Sequence, residues 1–532
     1  MTVSIAASGA AASAIESVVP RLVADAVASG ITAQDPSLWG PDAESDAAER
    51  LGWTEAVMTS RPLVAEIAEL RKHLHHQRVD HVVLAGMGGS SLAPEVIART
   101  YGRELVVLDS TDPIQVANAV ATDLERTVLV VSSKSGSTLE TDSQRRVYEA
   151  AFRAAGIDPA GRIVVVTDPG SALEQLARDA GYRVFLADPT VGGRYSALTA
   201  FGLVPSGLAG VPLDELLDEA EAISPLLATD ADENPGLVLG AVLGGTSPLR
   251  DKIAIVSDGT HILGFGDWIE QLLAESTGKA GTGLLPVVLG VDAPELTAEL
   301  PDLQVIRLVG SRDDEREVAD GEVEIAGSLG GQIMVWEYAV SVAGRLLGIN
   351  PFDQPDVEAA KAAARTLLEE TPAPGPVAFT ESGVDVRATA DVAVGDTLSD
   401  AVSALLEHVG DTGYVSIQAY VDREHNRNLE QLRDLVALRT GRPVTFGYGP
   451  RFLHSTGQFH KGGPAVGVFL QIVAAEPTDL EIPDRPFTFG ELIQAQAAGD
   501  AGVLADHGRP VLTLTVSDVQ AAAPVIAGAV QS

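Results

Sequence analysis

Short apolar runs that alternate with helix-forming stretches constrain the fold of this chain more than any other feature. In the first alternating region the runs lie at residues 81–85, 105–109, 127–131, 162–167 and 183–186. Each is too short for a buried helix and precedes a helical pattern, which predicts βαβ units around parallel strands that are buried on both faces. A second alternating region has runs at 252–256, 284–290, 304–309, 414–420, 444–446 and 511–516. The pattern therefore predicts an α/β protein.

The order of these regions predicts the domain organisation. Amphipathic patterns at the start of the chain predict an N-terminal helical segment over residues 1–60, with Trp39 and Trp53 as packing anchors. The two alternating regions predict two doubly wound parallel-sheet domains, at 61–228 and 229–532. Two successive units of this kind indicate an internal duplication, although the sequence contains no exact repeat.

Composition excludes several classes of function. The 532 residues carry a net charge of −38, which argues against binding to nucleic acid or to anionic membranes. Cysteine is absent, so disulfides and thiolate catalysis are excluded. No apolar run approaches the ~20 residues that span a bilayer, and the first 20 residues lack the basic residues of a signal peptide. We expect a soluble cytoplasmic protein.

A serine-rich turn at residues 131–141 is the strongest indication of a binding site. Six hydroxyl side chains, Lys134 and Gly136 stand where a predicted strand turns into a helix. Converging N–H groups, the positive end of the helix and the lysine together favour a bound phosphate. The alternative is a serine-rich loop with an ordinary capping serine.

The turn at residues 86–94 also follows a strand and opens a helix. It begins like the dinucleotide-binding pattern Gly-x-Gly-x-x-Gly, but Ser91 stands where the third glycine belongs. A nicotinamide site is therefore disfavoured. Gly89 and Ser90 suit main-chain contact with a small polar ligand, and a tight turn that needs small residues is the alternative.

Three further segments carry candidate chemistry. Arg194 follows two glycines, which lets its guanidinium approach an oxyanion closely. Glu275 lies in the last turn of a predicted helix that ends at Gly278, where the helix dipole disfavours the charged carboxylate and favours a base. Residues 453–464 contain two histidines, and a histidine suits proton transfer near neutral pH. Taken singly, each of these residues could equally be solvated at the surface.

A metal site is not expected from the sequence. The pattern His-Glu-x-x-His is absent. His73 and His76 could share a helix face with Glu69, but the neighbouring arginines and lysine indicate a solvated basic patch instead.

Taken together, these segments resemble the phosphoglucose isomerases, which are built from two sugar isomerase (SIS) domains. The matching segments are residues 86–94, 132–141, 192–203, 275–279, 350–361 and 454–458. The histidine segment is most similar to the isomerase part of transaldolase–phosphoglucose isomerase fusions, although no transaldolase segment is present. The resemblance implies two SIS-type domains.

The resemblance also implies roles for individual residues. Glu275 would transfer the proton between C1 and C2, and Arg194 would stabilise the enediolate. His454 would open the sugar ring with help from Lys361. The implied substrate-binding and phosphate-binding residues are Gly89, Ser90, Ser133, Lys134, Ser135, Thr138, Glu140 and Gln354. Because the histidine segment here follows the lysine segment, an exchange of the usual order, His460 stays an alternative to His454.

The implied activity is the reversible isomerisation of glucose 6-phosphate and fructose 6-phosphate through a cis-enediolate, a step of glycolysis and gluconeogenesis. It needs no metal or redox cofactor, and the resemblance allows a homodimer. One alternative is an isomerase of a related sugar phosphate, such as mannose 6-phosphate. Another is a sugar-phosphate sensor without catalysis, which would need only the phosphate turn.

Overall fold

The described part of the chain forms three mainly parallel β-sheets, each packed against helices. The computed structural model describes residues 3–311, 317–355, 368, 376–389, 391–475 and 478–532. The predicted α/β class with parallel sheets is confirmed. The described residues form one sheet more than the two predicted domains would contain.

The N-terminal segment is mainly helical, as predicted, but begins with a strand. This strand spans four residues, too few for a visible alternation, and pairs with a strand more than 300 positions later. Trp53 is fully buried and stacks on Tyr195, with ring centroids 5.3 Å apart. The elements are β1 (Ser4–Ala7), α1 (Gly9–Ala24), α2 (Val27–Thr32), α3 (Glu44–Arg50) and α4 (Ala56–His76).

The first sheet contains the five strands predicted from the first alternating region. Its elements are β2 (His81–Gly86), α5 (Leu92–Thr100), β3 (Val106–Leu108), α6 (Pro113–Ala121), β4 (Thr127–Ser132), α7 (Leu139–Ala154), β5 (Ile163–Thr167), α8 (Ala172–Asp179) and β6 (Arg183–Leu186). The strands are all parallel, in the order β3-β2-β4-β5-β6. Gly86 at the end of β2 lies beside Ser132 at the end of β4. The two turns that the sequence singled out therefore leave the same edge of the sheet side by side.

Three helices connect this sheet to the second one. They are α9 (Ala200–Ala209), α10 (Leu213–Leu227) and α11 (Pro235–Gly244). The second sheet and its helices are formed by β7 (Lys252–Asp258), α12 (Phe265–Thr277), β8 (Leu285–Leu289), β9 (Leu303–Val309), β10 (Glu322–Ala326) and α13 (Leu329–Leu347). Its order is β1-β10-β9-β7-β8, and only β1 runs antiparallel to its neighbour.

The third sheet begins with an antiparallel hairpin and continues with parallel strands. Its elements are β11 (Phe379–Glu381), β12 (Val384–Ala388), α14 (Leu398–Leu406), β13 (Tyr414–Tyr420), α15 (Gln431–Thr440), β14 (Val444–Tyr448), α16 (Gly457–Gly462), β15 (Gly467–Ala474), α17 (Phe489–Asp506), β16 (Val511–Val516) and α18 (Val519–Gln531). The order is β11-β12-β16-β15-β13-β14. The unit predicted at 229–532 thus holds two sheets. The domain boundaries at residues 60 and 228 stay predictions.

The hydrophobic cores join the three sheets into one framework. The largest core combines the N-terminal helices with one face of the first sheet and with the second sheet. From the third-sheet unit, Phe489 and Leu492 pack against the other face of the first sheet, and Phe459 packs against the second. Among the described helices, none combines the length and apolar character that crossing a bilayer requires. The packing of the three sheets against one another brings loops from all three units to one place.

Candidate active site

A cavity of about 500 Å³ lies where the three sheet units meet. Strand ends of the first sheet, α12 of the second and the loop before α16 all contribute to its wall. Ten of the predicted site residues line it: Gly89, Ser90, Ser133, Lys134, Ser135, Thr138, Glu140, Glu275, Gln354 and His454. Arg194 contacts two of these residues, and Lys361 lies outside the described residues.

Two glycines allow three turns to meet at the cavity. A Cβ atom at Gly89 would lie 2.0 Å from the carbonyl oxygen of Gly193. Gly88 has a φ of +57°, and a Cβ there would lie 2.7 Å from the carbonyl oxygen of His454. A larger residue at either position would therefore push away the turn that carries Arg194 or the loop that carries His454.

The serine-rich turn closes around its own hydroxyl groups. Ser133 Oγ lies 2.9 Å from Thr138 Oγ1, and Ser135 Oγ lies 2.9 Å from Ser137 Oγ. The turn leads directly into α7, a helix of 16 residues. The hydroxyls therefore lie beside the unpaired N–H groups and the positive dipole end of that helix, an arrangement that attracts an anion.

Three charged side chains surround this turn. Lys134 Nζ lies 2.5 Å from Asp168 Oδ2, and burial lowers the pKa of Lys134 while it raises the pKa of Asp168. Arg50 donates to the carbonyl oxygen of Pro189 at 2.9 Å, and Lys134 Nζ lies 3.5 Å from the same oxygen. The two cations thus lie side by side at the cavity wall. Arg50 comes from α3, where nothing in the local sequence distinguishes it from a solvated arginine.

Arg194 connects the predicted base to the segment that contains Gln354. Its Nη1 lies 3.6 Å from Glu275 Oε2 and 3.4 Å from Gln354 Oε1. Its Nε donates to Ser276 Oγ at 2.8 Å, and its Nη2 donates to the carbonyl oxygen of Pro351 at 2.7 Å. Both Arg194 and Glu275 are buried. These hydrogen bonds therefore hold the guanidinium beside the carboxylate in a buried position.

Lys279 fixes the segment at residues 350–353 against the end of α12. Its Nζ lies 2.5 Å from Asp353 Oδ1 and donates to the carbonyl oxygen of Asn350 at 2.8 Å. Burial, and then the charge of Arg194, lower the pKa of Lys279 to about 8. Lys279 stands only four positions after Glu275, but its direct ion pair is with Asp353, because the chain beyond α13 passes over the end of α12.

The two candidate histidines have different surroundings. His454 lines the cavity, and its Nε2 lies 3.0 Å from Glu140 Oε1. His460 is buried in the third-sheet unit, where its Nδ1 lies 2.9 Å from the Tyr414 hydroxyl. Burial holds the pKa of His460 well below its usual range. Of the two, only His454 is among the cavity-lining residues.

Several cavity-lining residues were not predicted from the sequence. Gln496 donates to Glu140 Oε1 at 2.8 Å, and Gln271 donates to the carbonyl oxygen of His454 at 2.9 Å. Lys461 forms a buried ion pair with Asp500 at 2.5 Å. Each is a polar residue within a helical pattern, and such residues are more often solvated. In α12, the four-residue spacing of Gln271 and Glu275 was the only available signal.

The arrangement supports two kinds of chemistry in one cavity. The serine-rich turn with its two cations can bind an anionic group. Glu275 and His454 can move protons, and Arg194 can stabilise a negative charge that develops between them. Among the described residues, no three His, Asp or Glu side chains are grouped as metal ligands.

Comparison with known proteins identifies relatives over part of the chain. The family model described as phosphoglucose isomerase matches residues 68–282. A probable glucose-6-phosphate isomerase from Natronomonas pharaonis is 30% identical over 341 residues, which are 54% of this chain and 78% of that protein. One from Haloarcula marismortui is 30% identical over 340 residues, again 54% and 78%.

Solved structures share the fold. A hypothetical protein from Thermus thermophilus is 23% identical with a TM-score of 0.58, over 69% of this chain and all of that one. A glucose-6-phosphate isomerase from Chlamydia trachomatis is 21% identical with a TM-score of 0.51, over 60% of this chain and 78% of that one. At these identities the likeness concerns the fold alone.

Proposed function

The chain belongs to the phosphoglucose isomerase family, and we propose that it interconverts glucose 6-phosphate and fructose 6-phosphate in this cavity. One observation carries the assignment to this site: Glu275 and the serine-rich turn line the same cavity. Its volume of about 500 Å³ lies within the range of sites that enclose a small ligand. A substrate anchored by its phosphate can therefore reach the proposed base.

The phosphate binds at the serine-rich turn. Hydroxyls of Ser133, Ser135 and Thr138 donate to its oxygens, together with the N-terminus of α7. Lys134 and Arg50 supply positive charge at the same wall. Because this group does not react, its binding energy serves to orient C1 and C2 at the distant end of the substrate.

Ring opening is the first chemical step. A proton reaches the ring oxygen, the bond from C1 to that oxygen breaks, and the C1 hydroxyl loses its proton as the carbonyl forms. His454, paired with Glu140 at 3.0 Å, delivers the proton to the ring oxygen. The family resemblance implies that Lys361 assists by accepting the proton that leaves the C1 hydroxyl.

Proton transfer between the carbons follows. Glu275 removes the proton from C2 of the open aldose, which forms the cis-enediolate. The proton of the C2 hydroxyl passes to O1, and Glu275 returns its own proton to C1 to give the ketose. Arg194 lies 3.6 Å from this carboxylate. Its fixed charge stabilises the negative oxygen, which is present only in the intermediate, and such differential stabilisation accelerates the reaction.

A coupled assay tests the activity, and Glu275→Gln tests the site. With fructose 6-phosphate as substrate, a dehydrogenase specific for glucose 6-phosphate should report product from the wild-type chain. Glu275→Gln should lower kcat on the order of 10²- to 10⁴-fold, since the neutral amide cannot accept the proton. Binding of a phosphorylated sugar acid should persist, because the phosphate turn is unchanged.

Glu16→Gln is the matched control, because Glu16 is exposed on α1 and is not among the residues that line the cavity. It should leave kcat and KM unchanged. Wild-type rates in Glu275→Gln would remove this carboxylate from the mechanism. Tight binding of the phosphorylated acid without any turnover by the wild-type chain would indicate a sensor instead.

A further inference from the structure

A buried chain of hydrogen bonds leads from the first sheet to the cavity histidine. The hydroxyl of Thr111, in the loop after β3, donates to Gln496 Oε1 at 2.6 Å. Gln496 Nε2 donates to Glu140 Oε1 at 2.8 Å, and His454 Nε2 lies 3.0 Å from the same oxygen. Four residues from two sheet units therefore meet in one linear network.

The chemistry of these groups fixes where the protons lie. A hydroxyl that donates to the amide oxygen orients Gln496 so that its N–H points at Glu140. In the reversed orientation, the amide oxygen would face the carboxylate oxygen, and two acceptors would repel each other. Glu140 Oε1 then accepts from Gln496 and from the ring of His454, which requires the histidine proton to lie on Nε2.

Glu140 lies next to groups that carry partial positive charge. The residue lies in the first turn of α7, at the positive end of the helix dipole. The hydrogen bond from Gln496 adds a second stabilising donor in a largely buried position. Replacing Gln496 by an apolar residue would remove a donor from a buried carboxylate and leave the amide partner Thr111 without its acceptor.

We infer that Gln496 is a positioning residue for ring opening: it orients Glu140 so that His454 keeps its proton on Nε2 and presents Nδ1 to the sugar. When Nδ1 is also protonated, Glu140 stabilises the imidazolium, which gives the Nδ1 proton to the ring oxygen. Gln496 does not touch the substrate in this scheme. The effect on ring opening rests on the proposed function. The orientation of Glu140 and His454 by Gln496 does not depend on that function.

The placement of Gln496 gives the third-sheet unit a part in the reaction beyond supplying His454. Glu140 and Thr111 lie within residues 68–282, which match the family model, whereas Gln496 and His454 lie beyond them. Gln496 is on α17, whose residues Phe489 and Leu492 pack against the first sheet. Packing of this helix therefore sets the distance between the amide and the carboxylate.

The test compares ring opening with proton transfer in Gln496→Met. Ring opening is measured as exchange between the two anomers of glucose 6-phosphate by NMR. Proton transfer is measured as solvent-deuterium exchange into an open-chain sugar phosphate too short to form a six-membered ring. We expect ring opening to slow by about 10-fold or more, the scale typical of groups that orient a functional histidine. Proton transfer should change by less than about threefold.

A spectroscopic measurement follows the histidine directly. In protein labelled with ¹⁵N-histidine, the ring signals of His454 should show the proton on Nε2. His454→Asn assigns these signals among the 10 histidines. In Gln496→Met the signals should shift toward a mixture of the two tautomers, which a loss of packing alone would not cause.

Further variants keep the test decisive if Gln496→Met does not fold. Thr111→Val removes only the hydroxyl that orients the amide, so it should slow ring opening and mix the His454 tautomers as Gln496→Met does. Thr111→Ser keeps a hydroxyl and should behave as wild type in both measurements. Gln494→Met is the matched control on the same helix, since Gln494 is exposed and donates to the carbonyl oxygen of Ala474. It should behave as wild type.

The outcomes separate this inference from the proposed function. Unchanged ring opening and an unchanged tautomer in both Gln496→Met and Thr111→Val would overturn the inference, while the result for Glu275→Gln would still stand. An inactive wild-type chain would overturn the function. The tautomer measurement would then still decide whether Gln496 orients the pair of Glu140 and His454.

Discussion

The charge balance at the serine-rich turn depends on three side chains. Lys134 is already paired with Asp168 at 2.5 Å, so these two charges largely compensate each other. Arg50 therefore provides the surplus positive charge that a phosphate dianion requires. The surplus matters because salt screens the net charge of −38 beyond about 8–10 Å, so the charges next to the turn decide whether an anion binds.

Replacing Arg50 should consequently weaken substrate binding. Arg50→Gln should raise KM for fructose 6-phosphate about 10-fold, since a hydrogen bond to a charged group contributes about 1.5 kcal/mol. The kcat should stay within about twofold, because the phosphate contact is the same in the ground and transition states. Steady-state kinetics at low and high salt measure both effects, and the difference should shrink at high salt.

Arg21→Gln serves as the control for this substitution, because Arg21 is exposed on α1. It should leave KM unchanged at either salt concentration. A fall in kcat at constant KM in Arg50→Gln would show that Arg50 acts on the reacting carbons and not on the phosphate.

Among the elements, α12 carries acidic residues with different surroundings. Gln271 and Glu275, four residues apart, both line the cavity. Asp267 and Glu270, earlier in the helix, lie near the loop that carries His454: Asp267 is 3.6 Å from Arg451, and Ser455 Oγ is 3.4 Å from Glu270 Oε1. Burial, and then the negative charge of Asp267, raise the pKa of Glu270 to about 8.

This raised pKa predicts how stability depends on pH. Glu270 binds its proton more tightly in the folded chain than in the unfolded chain, whose pKa is about 4.5. Its contribution to stability is complete below that value and decreases as the pH rises to about 8. Glu270→Gln cannot ionise, so the variant should gain stability relative to the wild type over this interval, with a constant difference above it.

Thermal unfolding of both proteins between pH 5 and 9 measures this difference. The Gln side chain can still accept a hydrogen bond from Ser455, so the comparison isolates the charge. Glu16→Gln should give no pH-dependent difference. Parallel curves for Glu270→Gln and the wild type would show that Glu270 is ionised in the folded chain.

In the molecule as a whole, Arg451 connects the three sheet units through ion pairs. It belongs to the third unit and lies 2.5 Å from Asp109 and 2.7 Å from Glu95, both in the first. It also lies 3.6 Å from Asp267 in the second. Burial alone would raise the pKa of Glu95, but the charge of Arg451 holds it at about 2. The arginine stands three positions before His454 and so fixes the loop that carries it.

Removing this arginine should destabilise the assembled chain. Arg451→Met leaves buried carboxylates without their main counter-charge, which typically costs about 3–5 kcal/mol. Urea unfolding followed by tryptophan fluorescence should show the loss, and the displaced His454 should lower kcat. Arg126→Met removes an exposed pair with Asp80 and should change stability by less than about 1 kcal/mol. Equal effects of the two substitutions would contradict a structural role for the Arg451 cluster.

Local patterns allowed much of the fold to be predicted. The five strands of the first sheet were recognisable as short apolar runs between helical patterns, and every residue of β2, β4 and β5 is buried. Strands β1, β10, β11, β12 and β15 were not predicted. Most of these are short, and β1 acquires its conformation from β10, about 320 residues later. The strands of the third sheet were assigned to the second predicted domain. An apolar run predicts a strand but does not show which sheet that strand will join.

Local patterns were enough to identify the serine-rich turn and a carboxylate at the end of a helix, because both depend on neighbours a few positions away. Which polar side chains reach the cavity depends instead on how distant segments pack together. His454 and His460 are six positions apart, yet one lines the cavity and the other is buried beside Tyr414. Arg50, Gln496 and Arg451 have ordinary local surroundings in the sequence. Their contacts arise because hydrophobic packing brings distant segments together, and the pairing of charges and hydrogen bonds follows from that proximity.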